Sequence, residues 1–293
     1  MRLPVIRGSA KGSGMRCLLL LLTALGIPGV PGLRPAPPAE RPPVLAFTVA
    51  SGQSVMARGH ENTLLCTLEI PDGYHIYWKH PGASGAPTEI EVDAPEGYEI
   101  GSMRWPRPEV FDEPEGSTYG YSDRVTFIIP FRHTAPLPEP GEFVVSARWL
   151  ACKKACFMGS ATATIRVSLL DHVKPVPTEA MRRAAARIPT PVAERPSTRV
   201  TFVKDRLVIS GPIDPAGLPA FIPADVPGVV LGEPSIRGDA SGFELVVPVD
   251  LEPENSLGNE PVIEGLLVFG MKPQDPSYDI RMPVPPAVDA GTD

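Results

Sequence analysis

Helical periodicity, aromatic side chains, long apolar runs and excess positive charge are all scarce in this chain. Only 6% of its 293 residues are aromatic, while 38 prolines and 27 glycines interrupt any helical pattern. Proline removes a backbone donor and clashes inside a helix, so a helix bundle is excluded and short strands joined by turns are expected. The formal net charge is -7. Nucleic acid is excluded as a partner on that ground, because binding phosphates needs a basic face.

The one apolar run, "CLLLLLTALGIPGV" from Cys17 to Val30, is interrupted by Gly26, Pro28 and Gly29. It is too short to cross a bilayer. It follows Arg2, Arg7, Lys11 and Arg16 and precedes "PGLRPAPPAERPP". A basic stretch, a short apolar core and a Pro-rich break have the layout of a secretory signal peptide. Residues 1–32 are read as that leader, with Met15 a second start that leaves a compact signal, and residues 33–43 as a Pro-rich linker. Cys17 precedes the run instead of following it, which does not suit a lipoprotein. The expectation is a periplasmic or otherwise exported chain, soluble and without a membrane span once the leader is removed.

Cysteine is scarce too, with four in all. Loss of the leader leaves Cys66, Cys152 and Cys156, an odd number, in an oxidising compartment where disulfides persist or cycle. Cys66 sits in "NTLLCTLEI", where Leu64, Cys66, Leu68 and Ile70 alternate with Thr63, Leu65, Thr67 and Glu69. Free cysteine packs as a small buried apolar residue, so Cys66 is assigned to the core. Cys152 and Cys156 remain as a pair.

From Val44 onward come "VLAFTVAS", "NTLLCTLEI", "YHIYW", "TEIEVDA", "RVTFIIPF", "EFVVSARWLA" and "ATATIRVSLL", each bounded by turn-forming residues. Seven such runs with no helical pattern between them predict an antiparallel sandwich over residues 44–170. In "EFVVSARWLA" Phe143, Val145, Ala147 and Trp149 share one face, and in "ATATIRV" Ala161, Ala163, Ile165 and Val167 do so. These two runs flank the cysteines and read as hairpin partners. In "TEAMRRAAARIP", Thr178 caps a short helix that stops near Pro189, within a linker spanning 171–196. Strands resume from Thr198, with Lys204 and Asp205 at a hairpin tip, as a second, smaller β domain over 197–285. A disordered tail is expected over 286–293.

The spacing of Cys152 and Cys156 constrains their chemistry. On a straight strand, residues four apart lie roughly 13 Å from each other, beyond the disulfide reach of about 7 Å. The chain must turn between them, with "KKA" as the loop of a tight hairpin. Two thiolates supply half of a zinc site, and no further Cys or close His pair completes it. Copper(I) is the metal alternative, with Met158 joining Cys152 and Cys156 as a soft ligand. A noncatalytic β-sandwich binding module with a structural disulfide is the second alternative, although closing so short a loop removes little unfolded-chain entropy. A working redox pair is the third. Lys153 and Lys154 favour it by stabilising thiolate, or else they are simply a solvated turn. In "YHIYWKHPG", alternation sets His75, Tyr77 and Lys79 against Ile76 and Trp78. Trp78 is assigned to the core and His80 to a turn, with no ligand role for either histidine.

The stretch from Tyr74 to Val167 resembles the periplasmic amino-terminal domain of the thiol:disulfide interchange protein DsbD, in the variety found in ScsB-type copper-sensitivity suppressors. The residues that carry the likeness are "GYHIYWKHPGASGAPTEIEV", "WPRPEVF", "TYGYSDRVTFIIPF" and "ARWLACKKACFMGSA", over roughly a third of the chain. The resemblance implies an immunoglobulin-like sandwich and no cofactor. It implies a protein-disulfide reductase type of chemistry in which Cys152 and Cys156 are the reactive pair. Electrons would pass between a membrane reductase and periplasmic thiol-disulfide proteins. These 293 residues contain neither the family's multi-helix membrane domain nor its thioredoxin-like domain, so the membrane electron transporter is expected to be a separate protein. Phe157 and Met158 stand where relatives often carry Ile-Pro. An aromatic loop commonly shields the disulfide in such domains, and by position Phe111, Tyr119 and Tyr121 are its candidates. The alternative for these aromatics is packing against the sandwich.

Overall fold

Short runs of alternating apolar and polar residues become strands throughout the computed structural model, which describes residues 42–134, 140–251 and 261–284. The expected leader, most of the Pro-rich linker and the expected tail lie outside the described residues. The first strands are β1 (Ala46–Ser51), β2 (Gln53–Val55), β3 (Asn62–Glu69), β4 (His75–Gly82) and β5 (Glu89–Asp93). Next come β6 (Tyr98–Ile100), β7 (Glu109–Glu113), β8 (Gly116–Ser122) and β9 (Arg124–His133), then the long pair β10 (Gly141–Cys152) and β11 (Cys156–Val167). One sheet has the order β1-β3-β9-β6. The sheet facing it runs β11-β10-β4-β8-β7, with β5 also on β10. All these pairs are antiparallel. The antiparallel, immunoglobulin-like sandwich expected from the sequence is what forms.

Its core follows from the alternation. Phe143, Val145, Ala147, Trp149 and Ala151 point inward from β10 and pack in one buried cluster with Leu64, Cys66 and Leu68 of β3 and Phe127, Ile129 and Phe131 of β9. Each large apolar side chain removed from water contributes about 1.5–3 kcal/mol. Cys66 is fully buried among them, and burial pushes its thiol up to about 12, so it is an inert filler. Trp78 is also core, as expected.

The linker helix α1 (Glu179–Ala185) opens on Thr178, whose Oγ1 accepts a hydrogen bond from the Met181 backbone N–H at 3.1 Å. It lays Ala184 on Leu65 and Ile128, the side chains that β3 and β9 turn away from the sandwich core. Just before it, β12 (Val176–Pro177) pairs with β2.

A second set of strands follows: β13 (Thr190–Pro191), β14 (Arg199–Phe202), β15 (Arg206–Gly211), β16 (Pro219–Pro223) and β17 (Val229–Leu231). It ends with β18 (Ser235–Asp239), β19 (Gly242–Leu251), β20 (Val262–Phe269) and β21 (Ser277–Pro283). They form two sheets, β13-β21-β20-β16 and β14-β15-β19-β17, with β18 also on β19. Leu207, Ile209, Leu245, Val247, Ile263 and Leu267 fill the space between them. Lys204 and Asp205 form the β14–β15 tip, both at positive φ (46° and 59°).

The two sandwiches pack together within one compact unit. Ile222, Leu266 and Val268 of the second are buried in the same apolar cluster as Trp78 and Tyr121 of the first. Arg107 crosses the junction. Its Nη1 donates to the carbonyls of Phe269 and Asp275 at 2.8 and 3.0 Å, and its Nη2 to that of Gly270 at 2.7 Å.

Candidate functional site

The β10–β11 hairpin is in register from Gly141↔Val167 down to Cys152↔Cys156, its last pair. Directly opposed residues of antiparallel strands point to the same side, so the sulfurs meet across the turn. The cysteines form a disulfide with their Cα atoms 4.1 Å apart. Lys153, Lys154 and Ala155 make the loop, closed by a hydrogen bond from the Lys153 N–H to the Ala155 carbonyl at 3.2 Å. Part of the long register depends on Gly159. A side chain there would start 2.5 Å from the indole nitrogen of Trp149, its cross-strand partner.

The two cysteines are not equivalently placed. β11 is an edge strand, whereas β10 has β4 on its other side, pairing Cys152 with His75 and Ala151 with Ile76. Cys152 is therefore only 3% exposed, while Cys156 is exposed. Met158, two residues along β11 and thus on the same face as Cys156, is 88% exposed. Lys153 is anchored, with its Nζ donating to the Asp72 carbonyl at 3.1 Å and lying 5.4 Å from the centre of the Tyr74 ring. Lys154 is exposed at the turn.

Beyond Cys152 the same face carries a polar and aromatic cluster. His75 is paired with Cys152 on one side and with Ser122 of β8 on the other. Its ring stacks on Phe111 (centroids 4.5 Å, interplanar angle 20°) and meets the edge of Tyr77 at 5.1 Å. Glu113 places Oε1 3.4 Å from His75 Nε2, and its Oε2 accepts a hydrogen bond from Ser84 Oγ at 3.1 Å. Glu109 Oε2 accepts from Ser122 Oγ at 2.8 Å. Gly85, at φ 101°, lets its loop close over the Tyr77 ring, where a Cβ would overlap the aromatic carbons. Burial lowers the affinity of His75 for a proton, and the Glu113 carboxylate partly restores it. Burial, with Glu113 adding to it, raises the Tyr77 phenol.

The structure thus gathers Cys152, Cys156, Lys153 and Phe111 at one end of the sheet. It places Tyr119 and Tyr121 on the opposite face. Tyr121 is wholly buried, edge-on to Phe127, with its hydroxyl donating to the Pro106 carbonyl at 2.9 Å. Tyr119 is half-buried and edge-on to Trp78. The copper alternative of Cys152, Cys156 and Met158 also lies on one face, with the two thiols joined in this state. Among the described residues, no group of three or more His, Cys, Asp or Glu side chains is arranged to hold a metal ion. The sequence gives His75 no ligand role, and no motif marks Glu109 or Glu113. Alternation sets His75 on the face of Tyr77, but the partner opposite it depends on the β4–β10 register, which no local pattern reveals.

Residues 43–167 match the family model described as "Thiol:disulfide interchange protein DsbD, N-terminal". The first sandwich matches the DsbD amino-terminal family. Among solved structures, the N-terminal periplasmic domain of ScsB from Proteus mirabilis shares the fold, with a TM-score of 0.57 at 15% identity. The match covers 82% of this chain and 93% of that one, a span that takes in more than the DsbD-like sandwich. The reduced DsbD N-terminal domain of Neisseria meningitidis aligns over 42% of this chain and 85% of its own, at 15% identity and a TM-score of 0.27. No curated protein sequence matches the chain. Thiol-disulfide exchange is the chemistry of the matched family, and Cys152 and Cys156 are joined in a disulfide in this structure. Among the described residues no helix is long and apolar enough to cross a membrane.

Proposed function

We propose that this chain is an exported, periplasmic thiol-disulfide exchange protein, passing electrons between a separate membrane reductase and periplasmic thiol proteins. Cys156 is the sulfur that partners meet, and Cys152 resolves the mixed disulfide. The observation that carries this reading is the asymmetry of the pair: an exposed Cys156 on an edge strand joined to a covered Cys152. Exchange proceeds by attack of a thiolate on a disulfide sulfur, and access decides which sulfur is reached. The family match over residues 43–167 supports the chemistry, and two lysines, Lys153 and Lys154, lie in the loop between the cysteines.

Trapping tests the assignment of roles. Cys152→Ser should accumulate a mixed disulfide through Cys156 with periplasmic thiol proteins, visible as a reducible adduct, and Cys156→Ser should not. Adducts through Cys152 alone would reverse the roles. The absence of an adduct in both variants would leave a structural staple.

A further inference from the structure

Exchange requires a proton movement that the two cysteines do not provide for themselves. Once Cys156 is joined to a partner, Cys152 must lose its proton before it can attack, and Cys152 is covered. A free thiol has a pKa near 8.5. At neutral pH such a thiol is mostly protonated, so a nearby base speeds resolution.

The sheet register supplies one. Cys156, Cys152, His75 and Ser122 form a single row across four adjacent strands, β11, β10, β4 and β8. Opposed side chains in such a row have Cβ atoms about 4.5–5.5 Å apart. His75 is 8% exposed, and its Nε2 is buried with no hydrogen-bond partner. Here the carboxylate of Glu113 stands 3.4 Å away, poised to pair with an imidazolium once one forms.

We propose that His75, braced by Glu113, is the proton acceptor that ionises Cys152 for the resolving step, an inference that rests on the exchange reading above. The Cys156 thiolate attacks a partner disulfide, forming a Cys156–partner bond and releasing one partner thiolate, which is protonated from water. The Cys152 thiol then gives its proton to His75, and its thiolate attacks the Cys156 sulfur. The Cys152–Cys156 bond forms as the Cys156–partner bond breaks, and the second partner thiolate leaves with the proton held by His75. The cysteine pair is oxidised by two electrons and the partner disulfide is reduced by two.

The titratable and charged groups facing His75 are Glu113 and Glu109 from β7, Tyr77 from its own strand and Cys152 from β10. Lys153 is tied instead to the Asp72 carbonyl. His80 accepts a hydrogen bond from the Asp225 N–H at Nδ1, near the other end of β4. Because burial depresses the His75 pKa, the neutral base persists to mildly acidic pH.

The test is rapid mixing of the reduced full chain with glutathione disulfide, acid quenching at intervals, and peptide mapping of the Cys156–glutathione adduct across pH 6 to 9.5. In the native chain the adduct should decay at a rate that is flat above neutrality and falls only at acid pH. His75→Gln should slow decay about 100-fold at pH 6.5, within the usual range for a general base, while adduct formation changes little. In that variant decay should rise roughly tenfold per pH unit until the thiol ionises unaided, closing the gap at high pH. His75→Phe keeps the stack on Phe111 and should behave the same way, guarding against a folding artefact. Glu113→Gln should move the acid limb to lower pH, because the carboxylate raises the imidazole pKa. A His75→Gln decay with the native pH profile, or slowed equally at every pH together with adduct formation, overturns the proposal. If not even Cys152→Ser forms a Cys156 adduct, the exchange reading falls and this inference with it.

Discussion

Arg107→Ala removes a guanidinium that ties the two sandwiches together, and the structure allows its cost to be worked out. Arg107 is 4% exposed and gives three hydrogen bonds to the carbonyls of Phe269, Gly270 and Asp275. A hydrogen bond from a charged group contributes about 1.5–3 kcal/mol, so three give a gross figure of roughly 4.5–9 kcal/mol. Taking the guanidinium out of water costs several kcal/mol, and truncation recovers that cost. Burial lowers the pKa of Arg107, in the direction this cost requires. The net loss is then about 2–4 kcal/mol, within the usual range for a broken buried polar contact. For a unit of this size it corresponds to a fall of roughly 5–15 °C in Tm. Thermal melts followed by circular dichroism should show that fall, with Arg107→Lys between the two because an ammonium cannot span three carbonyls. A melt within about 1 °C of the native chain would refute the view that this contact holds the sandwiches together.

Three further outcomes follow from the packing. His75, His80 and His133 all have pKa values depressed by burial, so unfolding takes up protons as pH falls below the unfolded value of about 6.5. Their contribution to stability is intact above that pH and is lost progressively below it. Urea midpoints should therefore drop from pH 7 to pH 5, by less in His75→Gln, and a midpoint that rises on acidification would contradict the sign. Thr178→Ala removes the cap of α1 and should cost about 1 kcal/mol in denaturant unfolding. After mild reduction and alkylation at pH 8, peptide mapping should find Cys156 modified fastest, Cys152 more slowly, and Cys66 untouched because its thiol is pushed up to about 12. Modification of Cys66 at the rate of Cys156 would show that the core opens readily.

The sequence was legible wherever one face of one element carried the signal. Alternation in "EFVVSARWLA" and "ATATIRV" gave the hairpin, and the impossibility of bridging four residues on a straight strand placed the turn at Lys153–Ala155. Thr178 announced its helix by side-chain chemistry, and Cys66 its burial by the apolar company it keeps. The neighbourhood of the disulfide was less legible because it is assembled across β10, β4, β8 and β7, whose registers are fixed by tertiary pairing. Phe111 and Tyr119 both read as aromatic residues near the site, yet alternation along β7 and β8 sends Phe111 to the His75 face and Tyr119 to the core. That burial differs so strongly between Cys152 and Cys156 follows from β11 being an edge, a property of sheet order that the hairpin alone does not reveal.

Equilibration of the Cys152–Cys156 pair in glutathione buffers of graded poise, read by thiol alkylation, tests the central claim most directly. A pair that exchanges with partners should equilibrate readily at a potential above about -300 mV, and Cys156→Ser should abolish the transition. A potential below about -300 mV, with no exchange on the timescale of minutes, is the signature of a structural bridge and would contradict the account.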